Sequence, residues 1–93
     1  MRTIRRTGPF KRDYKRVIAS PQGSKIAGLL RETLALLVGD QPLPDRCRDH
    51  QLTGARRSYR DCHILPDCVL IYRKMGDDSL ELVRLGSHSA LSL

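Results

Sequence analysis

The sequence predicts an α+β domain in which an N-terminal strand and a two-helix hairpin pack on a small antiparallel sheet. Two segments before residue 40 carry apolar residues at three- and four-residue intervals, which is typical of amphipathic helices. From Ser58 onward the period shortens to two, and turn residues divide this part into three strands. With 93 residues there is room for one hydrophobic core, so we expect a single domain over residues 1–93.

The first strand and first helix are separated by Gly8 and Pro9. Residues 2–6 are interpreted as a strand at an edge of the sheet. The helix that follows is expected to face the core with Phe10, Tyr14, Val17 and Ile18. Its opposite side is basic and displays Lys11, Arg12, Lys15 and Arg16.

The second helix has a start and a stop signal. Ser24 is placed to cap its N-terminus, and Gly39 offers its C-terminal end. Its apolar side is formed by Ile26, Leu29, Leu30, Leu34 and Leu37. The stretch from Asp40 to Asp49 contains two prolines and no sustained period, which predicts a surface connection ending at His50.

The last third of the chain predicts an antiparallel meander. Its strands are expected at residues 59–65, 69–74 and 80–85, joined by turns at Pro66-Asp67 and at Gly76-Asp77-Asp78. In the first of them, alternation places Tyr59, Asp61, His63 and Leu65 on one face, opposite Arg60, Cys62 and Ile64. In the last, Leu80, Leu82 and Arg84 are expected on one face that continues toward Gly86 and His88.

The charge balance indicates a partner that carries negative charge. Lys and Arg outnumber Asp and Glu by 17 to 10, giving a formal charge of +7, with the excess near the N-terminus. Such a patch attracts nucleic acid or an acidic protein, although a basic face also serves solubility alone. The longest apolar run, residues 34–38, is too short to span a membrane, and no signal peptide is evident. We therefore expect a cytoplasmic protein with reduced thiols at Cys47, Cys62 and Cys68.

Four groups form the candidate catalytic set, namely His50, His63, Asp67 and His88. Any one histidine is more often structural than catalytic, but the set supplies the proton donors and acceptors that metal-free RNA cleavage requires. Zinc is the competing use, through Cys47, His50, Cys62 and His63. Since Cys62 and His63 are adjacent in a strand and point to opposite faces, we expect neither metal nor cofactor.

The chain resembles a known family in several segments that occur in the same order. They are His50-Gln51-Leu52-Thr53-Gly54, residues 60–67 (RDCHILPD), Leu70-Ile71-Tyr72-Arg73 and residues 84–89 (RLGSHS), with Phe10-Lys11-Arg12-Asp13 and Pro42-Leu43-Pro44 also fitting. In these segments the sequence is similar to the YafQ branch of the RelE/ParE toxin superfamily.

The resemblance implies a RelE-like fold and a ribosome-dependent endoribonuclease, an mRNA interferase, that cuts messages in the ribosomal A site. It implies attack by the 2′-hydroxyl, a cytoplasmic type II toxin-antitoxin system, and a hetero-oligomer with a DinJ- or RelB-like antitoxin. The family's functional residues then correspond to His50, His63, Asp67 and His88. His50 and Asp67 would together act as the general base, and His88 would act as the general acid. Phosphate binding is assigned to Arg84, Lys11, Arg12, Lys15, Arg16 and Arg60.

Three positions depart from the family pattern. The family usually carries Trp after the aspartate, an acidic residue two positions after the last histidine and Phe near the C-terminus, where this chain has Cys68, Ala90 and Ser92. Since an aromatic can stack on a base, its absence is expected to weaken substrate positioning. The alternative hypothesis is therefore a homologue that binds antitoxin or RNA without cutting.

Overall fold

The order of helices and strands follows the sequence prediction. A computed structural model describes residues 1–93, and its strands form one five-stranded sheet of order β1-β5-β4-β3-β2. The elements are β1 (Thr3–Arg6), α1 (Gly8–Ile18), α2 (Gly23–Val38), β2 (His50–Gln51), β3 (Arg60–Leu65), β4 (Cys68–Met75) and β5 (Ser79–Gly86). Short 3-10 turns occur at Asp45–Cys47 and Gly54–Arg56. Neither helix combines the length and the apolar character needed to cross a membrane.

The sheet is mixed rather than purely antiparallel. Strands β3, β4 and β5 form the expected meander, but β1 pairs in parallel with β5, with Thr3 opposite Ser79. At the other edge, the two-residue strand β2 pairs with β3 and sets His50 opposite Asp61. The N-terminal strand is therefore an edge strand, as predicted, and a fifth strand lies next to the candidate site.

The two helices cover one face of the sheet, and the main core lies between them and the sheet. It contains Phe10, Ile26, Leu30, Leu37, Cys47, Cys62, Ile64, Cys68, Leu70, Tyr72, Leu80, Leu82 and Leu85. All three thiols are free and buried, and burial raises the pKa of Cys68 to about 11. Because thiolates are the reactive form, these cysteines serve as small apolar filler.

The other face, which we call the open face, carries residues that alternate with those of the core. Val69 and Ile71 lie on it and form a small apolar cluster with Leu91 from the C-terminal segment. Asp61 and His63 share this face, because the residues that alternate with them, Cys62 and Ile64, belong to the helix-side core. The open face thus combines a small apolar patch with polar groups.

Two register shifts alter the alternation that the sequence predicts. The shift between Ile71 and Tyr72 leaves Val83 without a cross-strand partner, so Leu85 rather than Arg84 continues the core side of Leu82. The prediction that Leu82 and Arg84 share a face of the sheet is therefore wrong. A second shift, between His63 and Leu65, turns Leu65 against the helix-side core and away from the face of His63.

Helix α1 is joined to β5 at its first residue. Thr7 caps the helix by accepting a hydrogen bond from the Phe10 N–H at 3.1 Å, and its hydroxyl donates to the Val83 carbonyl at 2.8 Å. Tyr14, expected in the core, is instead 38% exposed. It lies in a groove between the helices, because α1 is tied to the edge of β5 and does not pack closely along α2.

Helix α2 begins two residues earlier than the Ser24 cap predicts. It starts at Gly23 with Gln22 in the cap position and no side-chain capping bond. The chain turns so tightly here that a Cβ on Gly23 would lie 1.9 Å from the Ile18 carbonyl oxygen. The helix ends at Val38, so the stop predicted at Gly39 is confirmed.

Replacing a glycine of α2 by alanine is expected to have opposite effects on stability at Gly23 and at Gly28. Gly23→Ala is expected to lower the free energy of unfolding by about 3 kcal/mol, because backbone must shift to admit the methyl group. Gly28→Ala meets no atom within 4 Å and should raise stability by about 0.5–1 kcal/mol through helix propensity. Urea unfolding of both variants measures the two changes, and equal effects would contradict the close approach at Gly23.

Candidate active site

The sheet register arranges the open face in two neighbouring rows. One row contains His63, Val69 and Gly86, which are paired across β3, β4 and β5. The next row contains Asp61, Ile71 and Arg84. Polar groups from β3 and from the end of β5 therefore lie on either side of a short apolar strip.

His88 is brought to His63 by the turn that follows β5. The two rings are 5.0 Å apart at their centroids and meet edge to face at 62°. The turn is held by hydrogen bonds from the Leu91 N–H to the Ser87 carbonyl and from the Leu93 N–H to the His88 carbonyl. Leu91 is buried in the open-face cluster and anchors this turn. Both rings remain partly accessible, so a substrate can reach them.

The neighbours of His50 determine which of its ring nitrogens carries the proton. Its Nδ1 lies 2.8 Å from the Arg48 carbonyl oxygen and 3.1 Å from Asp61 Oδ1. Both neighbours are acceptors when Asp61 is ionised, so the neutral ring carries its proton on Nδ1. The lone pair is then on Nε2, in a side chain that is 55% exposed. This is the tautomer that a general base requires.

Asp61 lies at the centre of the histidines and is 3% exposed. Burial raises the pKa of its carboxyl, while attraction to His50, His63 and His88 acts in the opposite direction. Its Oδ1 lacks a well-aligned hydrogen bond. Alternation in β3 already predicts that Asp61 shares the face of His63, and this was the available signal, but Asp61 was not among the predicted catalytic residues.

Asp67 does not join this cluster by direct contact. It lies exposed in the turn between β3 and β4, beside a surface concavity that also includes Lys25. Its carboxylate makes no hydrogen bond, and no histidine nitrogen lies within ion-pair distance of it. The carboxylate next to His50 is that of Asp61, because the β2–β3 register sets these two residues opposite each other.

Arg84 is held by an ion pair with Asp13 of α1. Its Nε donates to Asp13 Oδ2 at 2.6 Å and its Nη2 to Oδ1 at 3.3 Å. The same carboxylate accepts from the Leu85 backbone N–H at 3.0 Å and from Arg16 Nη2 at 3.0 Å. Burial alone would raise the pKa of Asp13, but the bonds from Arg84, Leu85 and Arg16 outweigh it and lower the pKa.

The other predicted phosphate-binding residues divide into two groups. Lys11, Arg12 and Lys15 are exposed on α1 and form no ion pair. Arg60 instead donates to Asp49, which also accepts from the Tyr72 hydroxyl, on the helix side of the sheet. The assignment of Arg60 to the cluster's RNA contacts does not fit, because it faces away from His63 in the alternation of β3.

This geometry defines a small basic α+β domain whose ionisable groups converge on the sheet face that the helices leave free. The family model described as "Bacterial toxin of type II toxin-antitoxin system, YafQ" matches residues 2–93. The chain therefore belongs to the YafQ family.

Named relatives and solved structures agree with this assignment. The chain is 36% identical over 91 residues to the mRNA interferase toxin YafQ of Escherichia coli K12, covering 97% of this chain and 95% of the relative. The YafQ structure in the E. coli DinJ-YafQ toxin-antitoxin complex superposes with a TM-score of 0.80 at 36% identity, over 97% of this chain and 96% of that one. A copper-bound mutant toxin from Helicobacter pylori gives a TM-score of 0.84 at 33% identity, over 98% and 99% of the two chains.

The copper-bound relative raises the question of whether this chain is built for a metal. No group of three or more His, Cys, Asp or Glu side chains is arranged to hold an ion. The cysteines considered with the histidines in the sequence, Cys47 and Cys62, are in the helix-side core and are separated from His63 by the sheet. The donor arrangement does not fit a metal centre, and we assign no chemical step to one.

Proposed function

We propose that this protein is an mRNA interferase, the toxin of a type II toxin-antitoxin pair, which cuts RNA by general acid-base catalysis. The observation that carries the proposal is the grouping of His50, His63 and His88 on the open face beside the buried Asp61. His50 Nδ1 lies 3.1 Å from Asp61 Oδ1, and the His63 and His88 rings are 5.0 Å apart at their centroids. The exposed basic side of α1 supplies attraction for a polyanion. The identity to a relative named as an mRNA interferase toxin supports the same activity.

His50 and His88 divide the proton transfers in the proposed reaction. His50 Nε2 removes the proton from a 2′-hydroxyl, and the 2′-oxygen attacks the adjacent phosphorus. The bond between phosphorus and the 5′-oxygen breaks, and His88 gives its proton to that oxygen. The products are a 2′,3′-cyclic phosphate and a 5′-hydroxyl. The Arg48 carbonyl oxygen keeps the Nδ1 proton on His50, and the Asp61 carboxylate, 3.1 Å from Nδ1, stabilises the imidazolium formed there.

The remaining groups act on the substrate rather than on the proton transfers. His63, in edge contact with the His88 ring, is placed to orient that ring and to donate to the phosphate in the transition state. The Asp67 carboxylate is exposed in the β3–β4 turn, and its predicted catalytic role remains a prediction. Its position in that turn supports a role in binding the substrate more than a role as general base together with His50.

The partners in this proposal are a DinJ-like antitoxin and the translating ribosome. E. coli YafQ has been solved as a complex with DinJ, which supports the first partner. The exposed Lys11, Arg12 and Lys15 of α1 suit an acidic antitoxin segment and, without the antitoxin, ribosomal RNA or message. The proposed site of action is the cytoplasm.

The test is primer extension on a defined message in translating ribosomes. Wild-type protein should produce cuts that persist in chelator, and the combined His50, His63 and His88 to alanine variant should produce none. Arg31→Gln, an exposed change on α2, serves as a control that should cut like wild type. Cuts of equal strength from the triple variant would remove the histidine cluster from the mechanism.

A second candidate is a homologue that binds antitoxin without cutting. It is favoured by the three departures from the family pattern, because Cys68 is packed in the core and Ala90 and Ser92 are small, exposed residues. The aromatic ring at the open-face cluster is that of Tyr59, and the Arg73 guanidinium carbon covers it at 5.3 Å from the ring centroid. Folded wild-type protein that binds antitoxin but yields no cuts would establish this alternative.

A further inference from the structure

A buried carboxylate on α1 holds two arginines at the edge of the open face. Asp13 is 3% exposed and accepts four hydrogen bonds, from Arg84 twice, from Arg16 and from the Leu85 backbone. The bond from the Leu85 N–H lies beyond the last residue of β1, where that edge of β5 has no partner strand. Asp13 therefore fixes α1 against the free edge of β5. Both guanidinium groups are thereby held at one point of the fold.

The two arginines keep unused donors and a net positive charge. Two guanidinium groups and one carboxylate leave one uncompensated positive charge at the cluster. Each guanidinium has five N–H bonds, and Asp13 engages two from Arg84 and one from Arg16. The side chains are 37% and 61% exposed, so the remaining donors face solvent. An anion with several acceptor oxygens can bind across such a pair.

The position of this pair relates it to the histidines. An Nη atom of Arg16 lies 3.8 Å from the position a Cβ would take on Gly86, the residue in the same row as His63. Strands in a sheet are about 4.8 Å apart, so the end of the row at Gly86 lies about 10 Å from the His63 backbone. This backbone separation allows a single RNA strand to contact both groups through different phosphates.

We propose that Asp13 is a positioning residue, which holds Arg16 and Arg84 as a paired cradle for an RNA backbone phosphate next to the one that is cut. The proposal rests on the RNA cleavage proposed above and names how the strand is held. Val69 and Leu91 pack between the cradle and His63 and are themselves buried, so the nucleotide joining the two phosphates would pass over the residues that cover them. The cradle therefore sets the register of the strand over His63 and His88.

Binding can be measured apart from cleavage with a short 2′-O-methyl oligoribonucleotide, which has no free 2′-hydroxyl to attack. Arg16→Gln is expected to weaken its binding about three- to ten-fold at low salt. Arg16→Lys should recover only part of the loss, since an ammonium lacks the planar fork. The combined Arg16→Gln and Arg84→Gln variant should reduce the slope of log affinity against log salt by about 0.7, the loss of one single-strand phosphate contact.

Asp13→Asn is a test for which a positioning role and a merely structural role of Asp13 predict opposite changes in RNA affinity. The change makes the protein more positive, so a carboxylate with a merely structural role predicts equal or tighter RNA binding in the folded variant. A positioning role predicts weaker binding, because the two guanidinium groups lose their common anchor. Thermal unfolding shows whether the variant is folded, and Arg16→Gln, a change in a largely exposed side chain, gives the answer if it is not.

The controls keep this proposal separate from the proposed function. Arg31→Gln removes the same charge from an exposed site on α2 and should leave oligonucleotide affinity within about two-fold of wild type. Loss of affinity in Arg16→Gln with normal affinity in Arg31→Gln supports the cradle, whether or not wild type cuts messages. Equal affinity for wild type, Arg16→Gln and the double variant would overturn it, even if cleavage by the histidines is demonstrated.

Discussion

Alanine in place of His88 is expected to lower the rate of RNA cleavage by about 10²- to 10⁴-fold, because it removes one of the two proton transfers. The ring lies 5.0 Å from that of His63 and belongs to an accessible turn rather than to the core, so the fold should persist. Neither Leu91, which anchors the turn, nor the backbone bonds that close it depend on the imidazole. The effect should therefore appear in the rate and not in stability.

The measurement is single-turnover cleavage of a ribosome-bound message by wild type, His88→Ala, His63→Ala and the double variant. If the two rings work as a unit, the double variant is little slower than the slower single variant. Ser89→Ala, an exposed change at the next residue, should keep the wild-type rate. A His88→Ala protein that cuts within a factor of about two of wild type would exclude this histidine as the acid.

Asparagine in place of Asp61 is expected to lower cleavage by about 10²- to 10³-fold and at the same time to stabilise the protein by about 1 kcal/mol at neutral pH. The rate falls because the carboxylate that faces His50 Nδ1 at 3.1 Å can no longer stabilise an imidazolium. Stability rises because an amide avoids the cost of burying a charge at a side chain that is 3% exposed. Opposite changes in rate and stability are the signature of a functional buried charge.

The pH dependence of unfolding provides the second measurement on Asp61. Burial raises the pKa of this carboxyl in the folded protein above its ordinary value of 3.8. The folded state therefore holds the proton more tightly, and the associated stability is present below pH 3.8 and lost as pH rises through the raised pKa. The free energy of unfolding in urea is measured across pH for wild type and for Asp61→Asn. The value for wild type minus the value for the variant should decrease as pH rises. A difference that rises with pH would mean that the histidines outweigh burial.

The fold was largely predictable because its signals are local. Helical spacing located α1 and α2, and alternation with turn residues located β3, β4 and β5. The parallel pairing of Thr3 with Ser79 was not predictable, since it joins distant segments and depends on how α1 and α2 return the chain. The shift that leaves Val83 unpaired was also missed, because a bulge has no clear mark in a run of strand-forming residues.

The site was predicted in its residue types but not in its contacts. The sequence selected His50, His63 and His88, which the structure places around one carboxylate. It selected Asp67 as the catalytic aspartate and did not select Asp61, which the register of the two-residue strand β2 puts opposite His50. Asp13 was noted only as part of the segment Phe10-Lys11-Arg12-Asp13. Its burial against Arg84 depends on a contact 71 residues apart, which no local pattern contains.

The pairing of β1 with β5 also determines when the fold of this protein can be completed during its synthesis. The two strands are distant in sequence, and the bond from Thr7 to Val83, just beyond them, joins residues 76 positions apart. While the chain is being synthesised, β1 has no partner, Asp13 has no Arg84 and His63 has no His88. Contacts of such long range form late and slowly. The ion pair of Asp13 and the contact of His63 with His88 are therefore complete only after β5 and the turn that follows it have been made.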